Sequence, residues 1–122
     1  MKSTLAADIS APSQARDFVA TQLEAAPVPQ GVLIDKVVLT ASELVTNALQ
    51  AGASAIEVTV RVSPHRVDLV VIDDAEGWPT PTNAAWDDTA GRGLSIVDQL
   101  TDSWDVAAKK RGKAVTASWF RR

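Results

Sequence analysis

Two polar side chains one helical turn apart are the first residues in this sequence whose spacing suggests chemistry. Glu43 and Asn47 lie four positions apart within a stretch of helical periodicity, so both side chains project from one flank of the helix. A carboxylate and a carboxamide placed in this way can orient a water molecule and hold a hard cation through oxygen. The alternative is a solvated polar row shared with Lys36 and Thr40, because such pairs are ordinary on helix surfaces.

A carboxylate stands at the end of a strongly apolar segment further along the chain. Asp73 follows the consecutive apolar residues 69–72 and precedes the stretch 74–77, which carries two acidic residues and a glycine. A carboxylate at the mouth of a buried strand either accepts a hydrogen bond from a ligand amino group or forms a turn with its own backbone. Both interpretations of Asp73 stay open.

A glycine-containing turn precedes the last helical pattern. Gly91, Arg92 and Gly93 lead directly into a helix that begins near Leu94. The glycines let the backbone approach a ligand closely, the free amides of a helix N-terminus point at an anion, and the guanidinium of Arg92 adds positive charge. The pattern indicates a phosphate site, with a plain turn as the alternative, since an isolated Gly-x-Gly is weak evidence.

The composition excludes several kinds of site. The 122 residues include 12 Lys and Arg, 15 Asp and Glu, one histidine and no cysteine, for a net charge of −3. Thiolate metal sites, disulfide scaffolds and multi-histidine metal centres are therefore excluded. The acidic balance argues against a nucleic-acid partner. No segment has the length of a membrane span or the pattern of a signal peptide, so we expect one cytoplasmic domain, residues 1–122, without a membrane partner.

Hydrophobic periodicity predicts the elements that position these side chains. Strands are predicted at residues 5–9, 56–62, 67–73, 104–108 and 115–119, and helices at 13–23, 32–50 and 94–100. Gly52 is placed to end the long helix, and a long loop follows Asp73. The predicted fold class is α+β: a two-layer α/β sandwich with a mixed, mainly antiparallel sheet and helices on one face.

The order of these motifs resembles the GHKL ATPase superfamily, whose domain is the Bergerat ATP-binding fold, also described as histidine-kinase-like ATPase. Residues 43–48 look like its N box, 73–77 like its G1 box and 91–97 like its G2 box. The resemblance spans most of the chain, from about residue 30 onward. Within the superfamily, these motifs and the late Gly112-Lys113 are similar to the actinobacterial anti-sigma regulatory factors of serine-protein-kinase type.

The resemblance implies a site for ATP and Mg²⁺. Asn47 would bind Mg²⁺, Asp73 would accept a hydrogen bond from the adenine amino group, and Glu43 would act as general base toward a serine hydroxyl of a protein substrate. Arg92 and the amides near Gly93 would hold phosphate, and residues 74–90 would form an ATP lid. The cofactor-binding positions implied by the resemblance are Asn47, Asp73, Gly77, Gly91, Arg92, Gly93 and Leu94.

The resemblance also implies partners, namely a sigma factor and a small anti-anti-sigma protein of the STAS fold, bound commonly as a homodimer. The predicted function is an ATP-binding anti-sigma-factor-like regulator that phosphorylates a serine or threonine of its STAS partner. Ala75 and Glu76 depart from the family's G1 pattern, and Ala51 stands where many relatives have histidine. The alternative is therefore a catalytically weak or inactive binding module that sequesters a sigma factor or another regulator.

Overall fold

The computed structural model describes residues 2–26, 31–75 and 96–120. In chain order, its elements are β1 (Lys2–Ala6), α1 (Ala11–Ala25), α2 (Val32–Gln50), β2 (Ala55–Ser63), β3 (Arg66–Asp73), β4 (Ser103–Ala108) and β5 (Lys113–Phe120). Residues 96–100 form a further helical segment. None of the helices in these ranges is both long and apolar enough to cross a membrane.

The strands form one sheet in the order β1-β2-β3-β5-β4. Each pairing between described strands is antiparallel. β3 is the central strand, which explains why its sequence is a nearly continuous apolar run instead of a strict alternation. The predicted α+β fold with its mainly antiparallel sheet is confirmed.

The core lies between α1, α2 and one face of the sheet. In the β2–β3 register, Val58 is opposite Val71 and Val60 is opposite Leu69, so these four side chains share the helix-covered face. Each is at most 4% exposed. Full burial of a side chain of this size stabilises the fold by about 1.5–3 kcal/mol. The helices complete the core with the buried residues Ala15, Val19, Leu23, Ile34, Val37, Ala41, Leu44, Val45 and Ala48.

α2 has the predicted limits, and its end determines where the candidate site lies. Gly52 has a φ of 89°, and its amide donates to the carbonyl of Leu49 at 3.0 Å, which ends the helix. The chain then enters β2 at Ala55, and Ile56 is paired with Asp73. The last turn of α2 and the end of β3 therefore lie at the same edge of the molecule.

Two tryptophans attach the segment 96–100 to the sheet. Trp119 donates from Nε1 to the carbonyl of Leu100 at 2.7 Å, and Trp104 donates from Nε1 to Asp98 at 3.0 Å. Val97 is fully buried in the core. The helix predicted at 94–100 is thus confirmed for residues 96–100, while residues 94 and 95 lie outside the described ranges.

β1 has the predicted length but begins and ends three residues earlier than predicted. The strand ends at Ala6, and Ile9 is 96% exposed. Asp8 accepts hydrogen bonds from the backbone amide of Ser10, at 2.8 Å, and from its hydroxyl, which turns the chain toward α1. The alternation of apolar residues through Ile9 was therefore wrong as a strand prediction, because local side-chain-to-backbone bonds end the ladder.

Candidate functional site

Asn47 is buried on α2 rather than displayed on a solvated face. Its side chain is 6% exposed, and within the described residues its Nδ2 has no hydrogen-bond partner. The solvated-row interpretation is wrong, because Thr40 is fully buried as well and donates to the carbonyl of Lys36 at 2.7 Å. A buried polar group without a partner costs about 1–3 kcal/mol. A ligand that contacts the carboxamide would account for this cost.

Glu43 lies one turn before Asn47 and is half-exposed. The neighbouring Ser42 is buried and accepts a hydrogen bond from Nη1 of Arg16 at 2.8 Å, which joins α1 to this turn of α2. Four residues of helix advance by about 6 Å along the axis. The arrangement places an accessible carboxylate beside a buried amide, so one group can exchange protons with a substrate while the other holds a ligand.

Asp73 closes β3 on the helix-covered face and forms a buried ion pair. Nζ of Lys113 lies 3.0 Å from its Oδ2 and 3.1 Å from its Oδ1, and the two side chains are 2% and 5% exposed. The amide of Ala75 donates to Oδ1 at 2.9 Å, so the turn interpretation of Asp73 is confirmed. An ionised carboxylate has about four lone-pair sites. Among the described residues, the one contact of Oδ2 is the ion pair with Lys113, so this oxygen can still accept from a ligand donor.

Lys113 is the residue of this site that sequence reasoning missed as a functional candidate. It stands directly opposite Asp73 in the β3–β5 register, and opposite charges in facing positions stabilise antiparallel pairs. One signal could have identified Lys113. It is the first residue of β5, and β5 pairs with β3, whose last residue is Asp73. Finding it requires the register between strands about 40 residues apart, which alternation alone does not determine.

Gly112 places the β4–β5 turn directly on the backbone of Asp73. Its φ is 82°, and a Cβ at this position would lie 1.8 Å from the carbonyl oxygen of Asp73. The amide of Lys109 donates to the carbonyl of Gly112 at 3.1 Å and closes the turn. A residue with a side chain would push the turn away from β3, so glycine here is what lets Lys113 reach the carboxylate.

Asp74 is engaged in a different set of bonds from Asp73. Its Oδ1 accepts from the amides of Ser54 and Ala55 at 2.8 and 3.0 Å, and its Oδ2 accepts from the hydroxyl of Ser54. These bonds, with that from the Ser54 hydroxyl foremost, lower the pKa of Asp74 from 3.8 to about 2. Asp74, the first residue of the lid predicted at 74–90, therefore joins the start of β2 to the end of β3. Residues 76–90 of that segment lie outside the described ranges.

Five predicted positions are not among the residues that the structure describes. They are Gly77, Gly91, Arg92, Gly93 and Leu94. The phosphate-binding turn therefore stays a prediction, and the described part of the site consists of Glu43 and Asn47 at one end of α2 and Asp73 with Lys113 at the end of the central strands.

A cavity of about 260 Å³ lies on the other side of the sheet. Its lining residues come from β1, from the paired ends of β2 and β3 and from the β4–β5 turn: Thr4, Ala55, Ile56, Glu57, Ile72, Asp73, Asp74 and Arg111. In the register of β1, β2 and β3, Thr4, Glu57 and Ile72 are opposite one another on the face away from the helices. Because Asp73 and Asp74 also line it, this cavity reaches the edge of the sheet at which β3 ends.

Comparison with known proteins gives a family match over nearly the whole chain. The sequence model of the histidine kinase-like ATPase domain matches residues 5–119. The fold is similar to that in a crystal structure of the RsbU and RsbW domains of Rv1364c from Mycobacterium tuberculosis, with a TM-score of 0.76 and 21% identity. That similarity covers 100% of this chain and 33% of the other, so this chain spans about a third of the other's length. A comparison with curated proteins gives no match.

Proposed function

The chain belongs to the histidine kinase-like ATPase domain family, and on this premise we propose that it binds ATP with Mg²⁺ as a regulator of the anti-sigma type. The observation that carries the proposal is the buried carboxamide of Asn47, whose Nδ2 has no hydrogen-bond partner among the described residues. It lies at the same edge of the molecule as Asp73, because α2 ends where β2 begins beside the end of β3. These are the two residues that the family resemblance assigns to Mg²⁺ and adenine.

The residues present fit a nucleotide with its cation. Asn47 would hold Mg²⁺ through its amide oxygen, since Mg²⁺ commonly takes one or two protein ligands and completes its shell with phosphate oxygens and water. Asp73 would accept a hydrogen bond from the adenine amino group at Oδ2, whose one partner in the described structure is Lys113. Arg92 and the amides near Gly93 would hold the phosphates.

We further propose phosphoryl transfer to a serine or threonine of a STAS-domain partner, with a sigma factor as the second partner and a homodimer as the working form. Glu43 would take the proton of the substrate hydroxyl, and its half-exposed carboxylate at the rim of the site supports this role. Bound ATP would supply the γ-phosphoryl group and leave as ADP, and Mg²⁺ would neutralise charge on the phosphates. The RsbW domain named for the structural neighbour supports the choice of partner class.

Calorimetry with ATP and Mg²⁺, followed by transfer of label from γ-labelled ATP to a STAS-domain protein, tests the proposal. We expect Asn47→Ala to lose Mg²⁺-dependent binding and Glu43→Gln to keep binding but lose transfer by at least about 100-fold. Glu24→Gln, at an exposed position on α1, is the matched control and should change neither. Absence of ATP binding by the wild-type chain would contradict the proposal.

A second candidate function is a binding module that sequesters a regulator without catalysis. The observation that favours it is the ion pair itself, because Lys113 and Ala75 already occupy much of the capacity of the buried Asp73 carboxylate. This function predicts partner binding that needs no nucleotide and survives Asn47→Ala. Strict dependence of partner binding on ATP would exclude it.

A further inference from the structure

The ammonium group of Lys113 is buried and has a hydrogen-bond donor to spare. An ammonium carries three N–H donors. Within the described residues, Nζ donates to Oδ1 of Asp73 at 3.1 Å and forms an ion pair with Oδ2 at 3.0 Å. The side chain is 5% exposed, and a buried donor without an acceptor is costly. A ligand acceptor beside Nζ would therefore satisfy a donor that Asp73 does not engage.

Asp73 offers a matching acceptor next to this donor. Oδ1 accepts from both Lys113 and the amide of Ala75, whereas the one contact of Oδ2 among the described residues is the ion pair with Lys113. Each carboxylate oxygen has two lone pairs, so Oδ2 keeps one of them. Oδ2 and Nζ are 3.0 Å apart. The pair therefore presents an acceptor and a donor side by side to any group that reaches it.

The backbone holds this donor and acceptor in place. Lys113 is the first residue of β5 and lies directly opposite the last residue of β3. The turn before it is closed by the bond from Lys109 to Gly112 and rests on the backbone of Asp73. Because both side chains start from paired strands, their relative position is set before a ligand arrives.

Adenine carries the complementary pair on its Watson–Crick edge, where the amino group at N6 donates and the neighbouring ring nitrogen N1 accepts. We propose that Lys113 determines base specificity by donating its third N–H to N1 while Asp73 accepts from the amino group. This inference rests on the proposed ATP binding and adds a residue to it. Lys113 then recognises the base directly, in addition to neutralising the charge of Asp73.

A lysine that only neutralised Asp73 would stabilise the fold without sensing which atom stands at position 1 of the base. Nucleotides altered at one ring atom separate the two roles. 1-Deaza-ATP keeps the amino group and the phosphates but has C–H in place of N1. 7-Deaza-ATP keeps N1 and the amino group, and it is the matched control for removal of a ring nitrogen.

Calorimetric titration of the wild-type chain with each nucleotide and Mg²⁺ tests the proposal. We expect 1-deaza-ATP to bind at least about tenfold more weakly than ATP, as for loss of one hydrogen bond from a charged donor, and 7-deaza-ATP to bind as ATP does. In Lys113→Met, we expect weaker ATP binding and no preference for ATP over 1-deaza-ATP. Lys110→Met, at an exposed lysine of the same hairpin turn, should keep the wild-type preference.

The outcomes separate this inference from the function on which it rests. Equal binding of ATP and 1-deaza-ATP by the wild-type chain would overturn the role of Lys113 and leave ATP binding intact. Absence of ATP binding by the wild-type chain would overturn both. If Lys113→Met fails to fold because Asp73 is left buried without a counter-charge, the wild-type comparison decides alone.

Discussion

At the scale of the residue, two buried polar groups lower the stability of the folded chain and can each bind a ligand. The carboxamide of Asn47 has an amide nitrogen without a partner in the described structure. The buried ammonium of Lys113 has three N–H donors, and its partner within the same residues is the carboxylate of Asp73. Polar groups that are buried in folded proteins are almost always hydrogen-bonded. Groups left in this state are expected at sites shaped for a ligand, where local stability is sacrificed.

Replacing Asn47 by leucine tests whether stability and ligand binding are opposed at this position. Asn47→Leu removes a buried amide at similar volume, so we expect the free energy of unfolding of the ligand-free chain to rise by about 1 kcal/mol and Mg²⁺-dependent ATP binding to vanish. Urea denaturation and calorimetry measure the two effects. Thr40→Val is the control, because this buried hydroxyl already has its partner at 2.7 Å and its loss should not stabilise the chain. A less stable Asn47→Leu would contradict the prediction.

At the scale of the element, the β4–β5 turn and the α2–β2 connection both depend on glycine, but for different reasons. Gly112 and Gly52 have φ values of 82° and 89°. A Cβ on Gly52 would meet nothing within 4 Å, whereas one on Gly112 would overlap the backbone of Asp73. A substitution at Gly52 therefore measures the free-energy cost of the backbone conformation alone, whereas one at Gly112 adds the cost of a steric clash with β3.

We expect Gly52→Ala to lower the free energy of unfolding by about 1–2 kcal/mol, the cost of a left-handed conformation. Gly112→Ala should lower it by clearly more, because the turn must also move off β3. It should weaken ATP binding too, since Lys113 follows directly. Thermal denaturation and calorimetry of both variants test this, and equal destabilisation by the two would contradict it.

The bonds from Asp74 to the start of β2 predict a pH dependence of stability. The folded-state pKa of about 2 lies below the ordinary 3.8, so the ionised carboxylate stabilises the folded chain above pH 3.8, and this contribution is lost as pH falls toward 2. The difference in free energy of unfolding between the wild type and Asp74→Asn should therefore shrink across that interval. Ser54→Ala, which removes the foremost bond, should reduce the same pH dependence. A difference that stays constant down to pH 2 would contradict the assignment.

At the scale of the whole molecule, ligand binding and folding are linked. A ligand that binds only the folded chain stabilises it by about 2.7 kcal/mol at 100 times its dissociation constant. We expect ATP with Mg²⁺ to raise the melting temperature of the wild type and to leave that of Asn47→Ala unchanged. Chelation of Mg²⁺ by EDTA should reverse the shift, and a shift of equal size in both chains would contradict a role for Asn47.

Much of the fold follows from periodicity, while the site depends on register. The 3.6-residue spacing and Gly52 predict α2 with its observed limits, and alternation predicts the paired strands. The burial of Asn47 could not be predicted from periodicity. Asn47 lies three positions after Leu44, at the border of the apolar stripe of α2, where a small shift in packing determines whether a side chain is exposed. The pairing of Lys113 with Asp73 could not be predicted either, because it depends on contacts between distant parts of the chain.

The seam between β3 and β5 divides the chain into two halves that each hold part of the site. Residues up to 75 supply Glu43, Asn47 and Asp73, and the hairpin of β4 and β5 supplies Lys113. The sheet hydrogen bonds between these halves run along the β3–β5 pair, and the core residues Val115, Ala117 and Trp119 add apolar contacts. Detachment of the hairpin would break both and remove the donor, while the β1-β2-β3 sheet kept its hydrogen bonds. Base recognition would then be lost through a local opening of the molecule, well before global unfolding.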